Sequence, residues 1–146
     1  MFLIEDFLFF WFHYLYHIPF IYSRIHKVHH EMADTLAYHA FFSHWVEFIT
    51  NNVLPAYISL FLFKQDLHIS SFAAYVSFSI LKGHYIHCGY KFPYAPFMPS
   101  ISETTEIVDA SYHNYHHTKN LGNYSGGLAF WENIFKTNTH FRKQEK

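Results

Sequence analysis

The sequence predicts an all-α helical bundle, embedded in or associated with a membrane, that draws histidines together at its centre. Three observations lead there. Apolar stretches recur with helical spacing and few turn signals. Charged residues make up 14% of the chain and aromatic residues 23%, whereas ordinary soluble domains carry about 25% charge. Few charges with many Tyr and Trp suit a bilayer and its interface. Finally, fourteen histidines occur in 146 residues and most of them cluster. Mean hydropathy is −0.04, but that scale counts Tyr, Trp and His as polar and so does not oppose a membrane.

Taken in order, residues 1–30 read as mainly helical with an interruption near Pro19, because Phe7, Phe10, Trp11 and Tyr14 recur at helical spacing. Residues 31–44 are mixed and lead into a new helix. Val46 to Phe63 is mostly apolar, polar only near its start, and close to the length of about 20 residues that a hydrocarbon core requires. After the polar break KQDLH, Ile69 to Leu81 runs without charge and continues through Lys82 into GHYIHCGY. Together Val46–Phe63 and Ile69–Tyr90 are expected to form a helical hairpin dipping into the membrane. Pro93, Pro96 and Pro99 end helical structure and begin a loop suited to a lid or an interface contact. Helical register resumes over Ile107–His117. LGNYSGGLAFWENIFKTN then supplies a Gly-rich turn and a short amphipathic helix, and residues 139–146 form a charged tail.

Bulk properties exclude several classes. One domain spans 1–146. Ten Lys and Arg against eleven Asp and Glu leave no basic excess for nucleic acid. Cys88, the single cysteine, rules out a disulfide framework and is expected to pack as a small apolar residue. Met1 to Trp11 is apolar but carries Glu5 and Asp6, unlike a cleavable leader, and runs straight into the first histidine pair. A start so near that pair is expected of a fragment or a natural truncation.

The histidines form three groups: His13 and His17 in HYLYH, His26, His29 and His30 in HKVHH, and His113, His116 and His117 in HNYHH. On a helix, residues three or four apart project from one face. Each triplet therefore offers three imidazoles from one turn, and the set offers eight nitrogen donors. A single ion accepts four to six ligands, so eight donors point to two metal ions. Imidazole suits Fe, Zn, Cu and Ni, while Mg and Ca prefer oxygen. No rich set of carboxylates stands beside these histidines, unlike the Glu and Glu-x-x-His pattern of soluble di-iron bundles. His84 and His87, three apart at the end of an apolar helix, are further candidate ligands. His44 is a weaker one, and His39, His68 and His140 are read as ordinary core or surface residues.

These boxes resemble those of the fatty acid hydroxylase superfamily, within it the sterol desaturase and C4-methylsterol oxidase branch. The pattern there is one His pair, a His-x-x-His-His soon after, and a second one far downstream. Here eight residues separate His17 from His26 and eighty-two separate His30 from His113. Acyl-CoA desaturases place a longer segment between the first two boxes. HKVHHE is similar to the second box of the sterol-oxidase branch, and HCGYKFP to its His-Ser-Gly-Tyr-x-Phe-Pro. FSHWVE resembles Ala-His-Pro-Leu-Glu with Trp45 in place of Pro, and SYHNYHHTKNLGNYSGG resembles the third box with Asn114 where Asp is common. The resemblance runs from about Glu5 to Asn138. Members usually carry one or two membrane helices before the first box, and this chain has only Met1 to Phe12 there, so it is expected to lack them.

The resemblance implies a membrane-bound di-iron oxygenase that uses two Fe and O2 to hydroxylate an unactivated C–H bond of a lipid, a sterol or an acyl chain. Of the four electrons that reduce O2, two come from the C–H bond and two from a cytochrome b5-type donor. In a eukaryote the location would be the endoplasmic reticulum membrane. Zinc is an expected contaminant of preparations, since it outcompetes ferrous iron at nitrogen sites. Two other readings stand beside this one: a non-catalytic, truncated metal-binding membrane protein that partners a full-length hydroxylase, and a zinc hydrolase.

Overall fold

The structure, a computed structural model, describes residues 1–63, 68–90, 92 and 108–144. They form helices. The first, α1 (Phe2–Tyr16), ends as the chain turns extended at Ile18, because the residue before Pro19 is pushed out of the α region. Pro19 then opens the single turn α2 (Pro19–Tyr22), where its missing N–H is not needed. Two 3-10 turns follow, His26–Glu31 and Ala37–Phe41. The expected helix over Val46–Phe63 is observed as a continuous run of three pieces: α3 (Trp45–Phe48), a π-helical turn (Ile49–Val53) and α4 (Leu54–Leu62). Pro55 in the first turn of α4 cannot donate back along the helix, which gives a reason for the looser turn just upstream.

Helix α5 (Ile69–His87) starts on His68, whose Nδ1 accepts the Ser70 N–H. Helix α6 (Ala110–Lys119) starts on Asp109, whose carboxylate accepts the Tyr112 N–H at 2.9 Å, and stops at Asn120 in the left-handed conformation. Two short helices, α7 (Phe130–Phe135) and α8 (Thr139–Gln144), complete the described chain. The charged C-terminal segment is therefore partly helical. It docks through Phe141, whose ring meets Tyr112 and Tyr115 edge-on. The proline-rich loop read at 93–106 lies outside the described residues.

The packing inverts the usual soluble pattern. Along α1 the inward stripe is Asp6, Phe10, His13 and Tyr16, at spacings of three and four, with Glu5 beside it, while Leu3, Phe7, Tyr14 and Leu15 face out. The purely apolar core is small, centred on Ile86, Val108, Tyr112 and Ala129. Helix α1 packs on the π turn and α4, and α5 packs on the Ala37–Phe41 turn and α6. Outward residues of α4 and the start of α5 stay apolar: Tyr57 is 63% exposed, Phe61 58% and Ile69 74%. Among the described residues no helix is long and apolar enough to cross a membrane. The expected hairpin segments thus form as helices that do not meet the requirement, the first because it is broken into short pieces and α5 because its 19 residues include four serines and a buried lysine.

That lysine belongs to a buried polar cluster tying α1 to α5. The Glu5 carboxylate accepts from Tyr75 OH at 2.6 Å, from Ser79 Oγ at 3.1 Å and from Lys82 Nζ at 3.3 Å, and Nζ also lies 4.8 Å from the centre of the Phe2 ring. Removing one partner of a buried pair strands the other charge, which costs about 3–5 kcal/mol. We expect Lys82→Ala to lower unfolding stability by about that much in urea titrations followed by circular dichroism. Glu5→Gln combined with Lys82→Met should recover most of the loss.

Candidate metal centre

Four segments deliver imidazoles to one interior region. Helix α1 carries His13 and His17, the His26–Glu31 turn carries His26, His29 and His30, α5 ends on His87, and α6 carries His113, His116 and His117. Their ring nitrogens sort into two groups, each with all donor atoms within 4.8 Å of one another. One group holds His13, His17, His26, His30 and His116, and the other His29, His87, His113 and His117. Both triplets therefore divide. In each, the first and last histidines stay together and the middle one crosses to the other group, so that each triplet spans both. On α6 the reason is rotational: residues four apart lie about 40° from each other around the helix, and the residue at i+3 falls about 60° to the other side.

Backbone carbonyls decide which nitrogen of several rings carries the proton. A carbonyl oxygen can only accept, so the nitrogen facing it must be N–H. His13 Nδ1–H donates to Tyr124 O at 2.6 Å, His116 Nδ1–H to Gly122 O at 2.5 Å, His29 Nδ1–H to Phe42 O at 2.9 Å and His87 Nδ1–H to Gly83 O at 2.8 Å. In a neutral ring the Nε2 atom is then a bare lone pair. Yet His29 Nε2 and His87 Nε2 stand 3.3 Å apart, and His116 Nε2 stands 3.2 Å from His17 Nε2 and 3.1 Å from His30 Nε2. The two bare nitrogens of His29 and His87 cannot hydrogen-bond to each other. Two nitrogens bound at about 2.1 Å to one ion, at right angles, would lie about 3 Å apart. The spacing and donor chemistry fit a nitrogen-loving transition metal in each group.

Electrostatics agree. Burial, followed by repulsion from neighbouring imidazoles, holds His17 at about 3 and keeps His13, His26 and His116 well below the ordinary imidazole range. In the second group burial and the neighbouring His29 hold His87 at about 3, and His113 and His117 are likewise held neutral. Metals bind the deprotonated ring, so these sites are ready for a cation at neutral pH. The carboxyl group of Glu47, 2.7 Å from His26 Nδ1, is pushed up to about 9 by burial. An ionised Glu47 in this interior requires positive charge close by.

Nine of the ten histidines read from the sequence as candidate ligands meet in these groups. His84 does not: its Nδ1–H donates to Ala37 O at 2.7 Å, which points the ring at the Ala37–Phe41 turn. His44 caps α3, its Nδ1 accepting the Val46 N–H at 3.2 Å. Cys88 is half-buried and donates to Tyr90 O. Sequence reasoning missed the groups that aim the rings. Glu47 was visible as a charge entering an apolar helix. The carbonyls of Phe42, Gly83, Gly122 and Tyr124 leave no mark in side-chain identity. The Gly-rich turn is a partial signal: Gly122 has φ +64°, and a Cβ there would sit 2.0 Å from Thr137 O, while one on Gly127 would meet Asp6 and Phe2 of α1 at 2.7 and 2.8 Å. Only glycine lets this loop come close enough to serve His13 and His116.

Fold and site together define a class: a protein mostly helical over its described residues, whose polar interior gathers histidine nitrogens into two groups that could each hold a metal ion. The family model described as Fatty acid hydroxylase matches residues 1–137. The chain belongs to the fatty acid hydroxylase family. Fatty acid hydroxylase domain-containing protein 2 of Macaca fascicularis is 32% identical, covering 97% of this chain and 38% of its own length. Methylsterol monooxygenase 2-1 of Arabidopsis thaliana is 30% identical over 97% of this chain and 55% of its own. A C-4 methylsterol oxidase of Schizosaccharomyces pombe is 28% identical over 97% and 47%. The chain thus spans about half the length of the curated relatives it matches. No solved structure matches it.

The lowered imidazole values set a pH dependence for the metal-free protein. Unfolded histidines titrate near 6.5, whereas folded His17, His30 and His87 titrate at about 3. Below pH 6.5 the unfolded chain takes up protons that the folded chain refuses, so stability falls as pH falls through the window from 6.5 to 3. We expect metal-free protein to lose up to roughly 1.4 kcal/mol per pH unit for each such group. Chemical denaturation at pH 7.5, 6.0 and 5.0 measures this, and a flat profile would contradict it.

Proposed function

We propose that this chain carries the di-iron centre of a membrane-bound lipid hydroxylase, with a sterol of the methylsterol class as the favoured substrate. The carrying observation is the convergence of nine imidazoles whose ring nitrogens sort into two adjoining groups, each within 4.8 Å, with His29 and His87 both committed as Nδ1 donors and their bare Nε2 atoms 3.3 Å apart. The names of the relatives, methylsterol monooxygenase and C-4 methylsterol oxidase, support the substrate class. His13, His17, His26, His30 and His116 would hold one iron, and His29, His87, His113 and His117 the other.

Two ferrous ions would supply the binding and reduction of O2, with oxygen entering the substrate C–H bond and two electrons arriving from a cytochrome b5-type donor. The protein's own part is orientation and dryness. Carbonyls and Glu47 lock the rings, and burial keeps them neutral. The apolar outer faces of α4 and α5 suit a lipid environment, which supports action at a membrane, the endoplasmic reticulum in a eukaryotic cell.

Anaerobically purified protein is expected to hold about two irons per chain. With a cytochrome b5 and its reductase it should hydroxylate a methylsterol only when O2 is present. Fully loaded protein that oxidises no sterol or acyl lipid would overturn the reading. Ligand assignment has its own check by elemental analysis: His29→Ala, His116→Ala and His117→Ala should each lose metal, while His84→Ala and His140→Ala should match the unaltered chain. Equal metal in all five would refute the assignment.

A further inference from the structure

One histidine of the nine is held differently from the rest. His13, His29, His87 and His116 donate to neutral backbone carbonyls. His26 Nδ1 instead meets the carboxylate of Glu47, Oε1 at 2.7 Å, with His26 0% and Glu47 5% exposed at the side chain. Hydrogen bonds to a carboxylate are shorter and roughly twice as strong as neutral ones. Through the ring they raise the basicity of the opposite nitrogen. That nitrogen, His26 Nε2, lies at the heart of the five-histidine group, 3.1 Å from His13 Nε2 and 3.0 Å from both His17 and His30 Nε2.

The placement of Glu47 is itself built. His44 caps α3 through Val46 N, which sets the rotation of the turn and sends Trp45 outward, 67% exposed, and Glu47 inward, 4% exposed. The π-helical turn begins two residues later, and Thr50 within it bonds the Val46 and Glu47 carbonyls and Tyr16 OH. The Tyr16 ring in turn stacks on His26 at 5.8 Å between centroids, 23° from parallel. His26 is thus gripped from its edge by a carboxylate and from its face by a ring. In the four-histidine group no described histidine has a carboxylate partner.

We propose that Glu47 is a positioning residue that makes the five-histidine group the tighter of two unequal metal sites. This rests on the reading of both groups as metal sites and adds to it an order of affinity and the residue that sets it. The carboxylate contributes in two separable ways: a fixed ring geometry, which an amide oxygen can also maintain, and a negative charge, which it cannot.

The test is Co2+ binding to the full chain in detergent, stripped of metal and titrated without O2, read by visible absorption and by elemental analysis after dialysis against graded chelator. Wild-type protein should take up two Co2+ in two phases. Glu47→Gln should weaken the first, tighter phase about tenfold and Glu47→Ala about 100-fold, the span typical of lost outer-sphere partners, with the second phase unmoved. Thermal unfolding of metal-free Glu47→Gln should match wild type, which separates the effect from loss of fold. Unchanged binding in Glu47→Gln and Glu47→Ala, or equal weakening of both phases, would overturn the inference while leaving the metal centre standing. A wild-type chain that binds no Co2+ would overturn the metal centre itself.

Discussion

The structure is arranged around the crowding of buried imidazole nitrogens in its interior. Nine imidazoles point toward two small volumes, and where a carbonyl faces the ring, the nitrogen left inside is a lone pair. Where two such lone pairs meet, as on His29 and His87 at 3.3 Å, they repel, and burial disfavours protonation of either ring. The same interaction explains why the interior is polar. A site of this kind has to be surrounded by groups that hold rings, so Glu47, Tyr16, Thr50 and four backbone carbonyls occupy space that in an ordinary domain would be filled by Leu and Ile.

With the interior given over to rings and their holders, the apolar residues go elsewhere. Phe, Tyr and Leu side chains crowd the outer faces of α1, α4 and α5, while Asp6, Glu5, Lys82 and Glu132 are enclosed. Glu132 shows how such enclosure is tolerated. Its carboxylate takes the Ser125 N–H at 2.7 Å and the Thr137 hydroxyl, tying the middle of the loop that serves the histidines to the turn after α7. Asp6 accepts the Leu128 N–H at 3.1 Å and anchors the far side of the same loop to α1. Buried carboxylates here act as clamps on backbone, and the loop they clamp carries the carbonyls that orient His13 and His116.

Division of the triplets gives the centre its connectivity. Because His29 leaves its neighbours for the second group and His116 leaves its own for the first, each triplet touches both volumes. Neither group can shift without the other. Helix α1 contributes only to the five-histidine group and α5 only to the four-histidine group, so the triplets are the joints between two halves of the bundle.

Much of this was legible in the sequence. Periodicity marked the helices, Pro19 marked an interruption, and three histidine boxes at family spacing pointed to the family and to histidines that meet in the two groups. Local rules suffice for these because helical turns, proline geometry and imidazole chemistry act over a few residues. What the sequence could not decide is anything set by rotation and approach between distant segments. The assignment of five nitrogens to one group and four to the other, the admission of His87 and exclusion of His84 only three residues away, and the meeting of His26 with Glu47 all depend on how helices turn against each other. So does the service of His13 by a carbonyl 111 residues away. Backbone carbonyls are identical at every position, and only tertiary structure decides which ones face a ring.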